Sequence, residues 1–126
     1  MERLLAVCVG SALGGGARYL AALAAARWLG TSFPVATLGV NLLGSFLIGL
    51  AMPVLLRSSA VSMEARLFAT TGILGGFTTY STFNYETLEL ARSGEPGLAA
   101  LNVAATVLGG FLSGLAGLAL GRALVE

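Results

Sequence analysis

The chain has 126 residues, 56% of them hydrophobic and only 10% charged, with a net charge of +1 and a single cysteine. It holds no histidine and no aspartate, and every basic side chain is an arginine. This inventory excludes zinc sites of the usual histidine type, Ser-His catalysis, aspartyl proteolysis within a membrane and a basic tract for nucleic acid, and it describes an all-α membrane protein.

Ionisable groups leave four long apolar intervals: Leu4 to Ala26, interrupted by Arg18; Trp28 to Leu56; Leu67 to Tyr85; and Pro96 to Gly121. Each can hold a helix of about 20 residues, the length that crosses a bilayer. The chain therefore reads as one four-helix transmembrane domain, with spans near 4–26, 33–56, 66–90 and 97–122. The first apolar run outlasts the core of a signal peptide, so it reads as a span. Arg3, Arg57, Arg66 and Arg122 fall on one side of the membrane and Arg27 and Arg92 on the other, with Arg18 nearer the second group. That small bias is compatible with insertion in both orientations.

The first span carries Gly10, Ser11, Gly14, Gly15 and Gly16 ahead of Arg18 and Tyr19. At about 100° per residue, Ser11, Gly14, Gly15 and Arg18 share one side, where small residues admit a close neighbour. Arg18 either snorkels or pairs structurally, or it draws anions to a vestibule. Cys8 cannot form an intrachain disulfide and reads as core packing.

A turn at Gly30-Thr31-Ser32-Phe33-Pro34 opens the second span, and Pro53 closes or kinks its last turn. Thr37, Asn41 and Ser45 are spaced by four and lie on one inward face. The stripe is either helix-to-helix glue or the wall of a polar path, and Asn41 is its most demanding member.

The third span, GILGGFTTYSTFNYE from Gly72 to Glu86, is poorly made for a helix. Gly72, Gly75 and Gly76 are weak helix formers, and Thr78, Thr79 and Thr82 are stiff at χ1. Two readings stand. Either the helix breaks near Gly75–Thr79 and the break holds an ion site, or Gly72 and Gly76 form a G-x-x-x-G packing pair. Glu86 and Glu89 follow on one face, but no nucleophile or metal-ligand set accompanies them, so the chain is not read as an enzyme. Glu86 is placed in a structural ion pair or at an aqueous entrance, and Glu89 at the interface. In the fourth span Asn102, Thr106, Gly110, Ser113 and Gly117 share a narrow sector, either a packing seam or a wetted path.

The inward donors are Asn41, Ser45, Thr79, Ser81, Thr82, Thr106 and Ser113, with aromatic edges from Tyr80 and Phe83. Neutral donors and electropositive ring edges, without a cationic cage, suit a small hydrated anion that must also leave again. The same two rings also read as an ordinary buried aromatic pair.

The blocks Gly14-Gly15-Gly16-Ala17-Arg18-Tyr19, Thr37 to Phe46, and above all Gly75-Gly76-Phe77-Thr78-Thr79-Tyr80-Ser81-Thr82-Phe83 resemble the Fluc (CrcB) family of fluoride channels over essentially the whole chain. The resemblance implies an antiparallel, dual-topology homodimer with two pores in the cell (inner) membrane, passing fluoride out of the cytoplasm. It implies a structural Na⁺ between backbone carbonyls of Gly75 and Thr78 from both copies, Tyr80 and Phe83 at the two positions of a pore phenylalanine pair, and Asn41 as the pore-facing amide. Thr106 and Ser113 fall on or near the polar track of the fourth helix by spacing. Tyr80 departs from the family pattern by adding a hydroxyl. The rivals are a small dual-topology multidrug-type exporter, which needs a membrane-embedded glutamate in the first helix that this chain lacks, and a non-conducting membrane assembly subunit.

Overall fold

The computed structural model describes residues 1–30 and 33–126. Thr31 and Ser32, at the centre of the expected turn, lie outside the described residues. Helix α1 runs Glu2–Trp28, α2 Val35–Arg57 and α6 Pro96–Ala123. Each of the three is long and apolar enough to cross a membrane. Between α2 and α6 the third span is assembled in pieces: α3 (Met63–Leu67), a π-helical stretch Phe68–Leu74, α4 (Gly75–Phe77) and, after a break, α5 (Tyr80–Arg92).

Local chemistry explains most of the boundaries. Ser62 caps α3 by accepting from the Ala65 N–H at 3.1 Å. Pro96 sits in the first turn of α6, where its missing N–H would be unpaired in any case. Gly94 ends the preceding turn at φ +87°, a conformation that favours glycine. The helix α2 continues through Pro53 to Arg57, so the proline does not close it. At the membrane edge Arg3 pairs with Glu64 at 3.2 Å. The Glu64 carboxyl is held below its usual value, first by a backbone hydrogen bond at the start of α3 and then by Arg3. Its support for this corner is present above the ordinary carboxylate range and is lost as pH falls through the lowered value.

Packing follows two seams of small residues. A Cβ on Gly10 would lie 2.5 Å from the Phe68 carbonyl oxygen, and one on Gly76 would lie 2.6 Å from that of Ser11. A Cβ on Gly14 would overlap the Ile73 carbonyl. So α1 lies backbone to backbone against the first half of the third span. The second seam joins α2 to α6, where Cβ atoms on Gly49 and Gly117 would overlap the carbonyls of Gly114 and Phe46. Gly117, at the lower end of the fourth-helix lane, is thus a packing position, as is Gly121 beyond it. Cys8 is exposed on the outer face of α1, which corrects its assignment to the core: the seam that buries α1 uses Gly10 and Gly14, and Cys8 is turned away from it.

Candidate functional site

The third span is broken, and its glycines also pack, at different residues. Gly72 and Gly76 are packing positions against α1, and the residues Gly75 to Phe77 remain helical. The break falls at Thr78 (φ −81°, ψ 157°) and Thr79 (φ −153°, ψ 115°), which are extended, a conformation their β-branched side chains favour.

A broken helix exposes backbone groups that lipid cannot satisfy, and distant side chains partner three of them here, the Gly76 carbonyl and both polar groups of Thr79. Asn41 serves Thr79 twice: its Nδ2 donates to the Thr79 carbonyl at 3.0 Å, and its Oδ1 accepts from the Thr79 N–H at 2.8 Å. Arg18 donates through Nε to the Gly76 carbonyl at 3.2 Å, placing a cation at the C-terminal end of the first half-helix. Thr79 then caps the second half-helix, its Oγ1 accepting from the Thr82 N–H at 3.2 Å while donating to Thr82 Oγ1 at 3.0 Å. Gly44 lets α2 come this close, since a Cβ there would overlap the Thr78 methyl.

Two cavities meet at the break, and Thr79 lines both. The first, of about 660 Å³, is walled by Arg18, Thr37, Thr82 and Glu86 among others. Within it Thr37 Oγ1 donates to Glu86 Oε1 at 2.8 Å, and Glu86 Oε2 is buried without a hydrogen-bond partner among the described residues. Among the described residues Glu86 is in no ion pair, and it lies in the wall of this cavity. Glu89 instead pairs with Arg92 at 3.1 Å on the exposed face. The second cavity, of about 390 Å³, is lined by Asn41, Ser45, Thr78, Tyr80, Phe83 and Thr106, with Gly75 and Thr70 at its edge. The Tyr80 and Phe83 rings lie 5.6 Å apart at 59°, with Phe83 5% exposed and Tyr80 77% exposed. Thr106 Oγ1 is buried without a partner among the described residues.

The structure thus gathers Asn41, Ser45, Thr79, Tyr80, Phe83 and Thr106 around one space, and Arg18, Thr82 and Glu86 around the adjoining one. Ser113 lines neither cavity, because seven residues of helix carry it about 10 Å beyond Thr106. Thr37 belongs to the site through Glu86, and its signal was the four-residue spacing to Asn41. Gly44 was missed, although it lies three residues from Asn41 on the same face. Among the described residues no cluster of three carboxylate or thiol ligands exists to hold a metal. Among the described hydrogen bonds that fasten the break, none uses the carbonyls of Gly75 and Thr78.

The family model "CrcB-like protein, Camphor Resistance (CrcB)" matches residues 5–118. A relative from Anaeromyxobacter dehalogenans, named Fluoride-specific ion channel FluC, is 54% identical over 109 residues, covering 86% of each chain. Relatives of the same name from Thermus thermophilus and Chelativorans sp. are 48% and 44% identical over 125 residues, in each case 99% of this chain. This multi-pass membrane protein, with its third span broken between two cavities, belongs to the CrcB-like family.

Proposed function

We propose that the chain is a fluoride-selective ion channel that lets cytoplasmic F⁻ leave the cell by passive electrodiffusion. The observation that carries this reading is the pair of cavities that share Thr79 in their walls, the one with a guanidinium in its wall and the other lined by neutral donors and two aromatic rings. Arg18 raises the local anion concentration without forming a closed cage. Asn41, Ser45 and Thr106 offer N–H and O–H groups, and Tyr80 and Phe83 offer ring edges and a phenol, so water around the ion can be replaced stepwise. The unpartnered Thr106 hydroxyl fits this role, since a buried donor left unpaired by protein is costly unless something else takes it. The names of the relatives support fluoride as that ion.

The working unit in this reading is an antiparallel, dual-topology homodimer. Tyr80, Ser81 and Asn84 are exposed on the surface of the chain at membrane depth, where lipid offers no hydrogen bonds, and a second copy would cover them. The weakly biased arginines suit insertion both ways. The carbonyls of Gly75 and Thr78 fit a structural Na⁺ at the centre of that dimer, since hard cations take oxygen ligands. When bound, the ion supplies fixed positive charge beside the break.

The reading is tested with two aromatic variants in proteoliposomes. Phe83→Ile should lower fluoride efflux at least about tenfold with the dimer intact, through loss of the ring edge, whereas Tyr80→Phe keeps the ring and should retain most of it. Wild-type efflux from Phe83→Ile would remove the aromatic wall from the pathway. Arg18→Gln should lower efflux about tenfold, and the deficit should widen at low ionic strength, where the charge is less screened. A deficit indifferent to salt would show that Arg18 acts only as a cap on Gly76.

A further inference from the structure

Asn102 on α6 is 1% exposed, yet it lines neither cavity. Its sector of the helix would allow it to join the polar lane, but its amide is committed elsewhere. Nδ2 donates to Thr87 Oγ1 at 2.9 Å, and that hydroxyl donates its own proton to the Phe83 carbonyl at 2.7 Å. A hydroxyl has one proton to give, so the direction of both bonds is fixed and the amide must present its NH₂ group to Thr87. Threonine hydroxyls bonded to the carbonyl four residues back bend a helix locally. Here that bond is made to the Phe83 carbonyl, and Asn102 holds the hydroxyl that makes it.

The arrangement parallels the one at the break. Asn41 of α2 grips the backbone of Thr79, and Asn102 of α6 grips that of Phe83 through one intermediary. The turn that bears both aromatic rings is held at each end by a side-chain amide, half-buried at Asn41 and buried at Asn102. We propose that Asn102 is a positioning residue for Phe83, acting through the Thr87 hydroxyl to aim the ring into the ion pathway without touching the ion. The inference rests on the channel reading above for its effect on flux.

The test uses the purified full-length protein as wild type, Asn102→Leu, Thr87→Val, the double variant and Thr87→Ser. With 4-fluorophenylalanine at position 83, the ¹⁹F resonance should move alike in Asn102→Leu and Thr87→Val and return in Thr87→Ser. Fluoride efflux per folded protein should fall about five- to tenfold in each single variant, the size expected for one lost buried hydrogen bond. The double variant should be no worse than either single one, because the two residues form one relay. An unmoved resonance overturns the proposal whatever the flux does. So does a double variant whose losses multiply, which would make Asn102 an independent contact of the ion. A lower melting temperature with unchanged flux per folded protein also overturns it, since that is a purely structural role. Where Asn102→Leu does not fold, the Thr87→Val and Thr87→Ser pair decides alone, and equal resonances in the two overturn the proposal. The expected resonance shifts in the variants, with no fluoride flux from the wild type, would overturn the channel reading and leave the positioning relay standing.

Discussion

Asn41→Ala should lower fluoride efflux by about a hundredfold or more while the protein still purifies folded. The side chain supplies the only described partners for both polar groups of Thr79, at 3.0 Å and 2.8 Å. Truncation leaves an N–H and a C=O unpaired at membrane depth, at about 1–3 kcal/mol each, and the break relaxes until they find substitutes. That loss stays local, because α4 is held by the glycine seam on α1 and α5 by its own bond to α6 through Asn102. Fluoride efflux through proteoliposomes, normalised to folded protein, measures the effect. Asn41→Asp adds a second check: it can still accept from the Thr79 N–H but cannot donate to its carbonyl, and it sets an anion beside the path. It should also be severely impaired. Wild-type flux from either variant would show that the clamp on Thr79 is dispensable.

The second large effect separates neighbouring glycines. Gly76→Val should prevent the protein from folding, whereas Gly75→Val should leave the protomer folded and remove its response to sodium. A Cβ at Gly76 would stand 2.6 Å from the Ser11 oxygen and 2.9 Å from its Cα, backbone atoms that cannot swing aside. Overpacking of that kind costs about 3 kcal/mol or more. A Cβ at Gly75 meets only the Thr70 carbonyl at 3.7 Å, so the protomer itself has room for it. Its cost falls on what the proposed dimer places outside the protomer, the second copy and the Na⁺. Size-exclusion profiles and melting curves across a sodium series read both variants, because an ion bound only by the folded dimer raises its melting temperature. A monodisperse, stable Gly76→Val would contradict the seam. A Gly75→Val dimer with wild-type sodium dependence would contradict the sodium site.

The four spans, and the fact that the third is broken, were legible in the sequence because they rest on local chemistry: uncharged length, and a concentration of glycine and threonine where lipid tolerates neither an open backbone nor a poor helix. Which residues make the break was not legible. Glycine signals a break and a close approach equally well, and only the facing Gly10, Ser11 and Gly14 show that Gly72 and Gly76 are used for approach, leaving Thr78 and Thr79 to carry the extended turn. The Thr37, Asn41 and Ser45 stripe was visible from its spacing of four, but its partners Glu86 and Thr79 are 49 and 38 residues away, and no periodicity encodes them. Arg18 stood out as a cation within a span, while its bond to the Gly76 carbonyl, across 58 residues, needed the fold. The fourth-helix lane divides for the same reason. Angle alone grouped Asn102, Thr106, Ser113 and Gly117, whereas contact sends the first to α5, the second to the cavity and the last to α2.

The most direct test of the central claim is anion efflux from liposomes holding the purified protein, with fluoride and chloride electrodes run in parallel and a potassium ionophore supplied to balance charge. Rapid loss of fluoride with negligible loss of chloride is the predicted result. No fluoride efflux from a well-folded preparation, or chloride leaving as fast as fluoride, would contradict it.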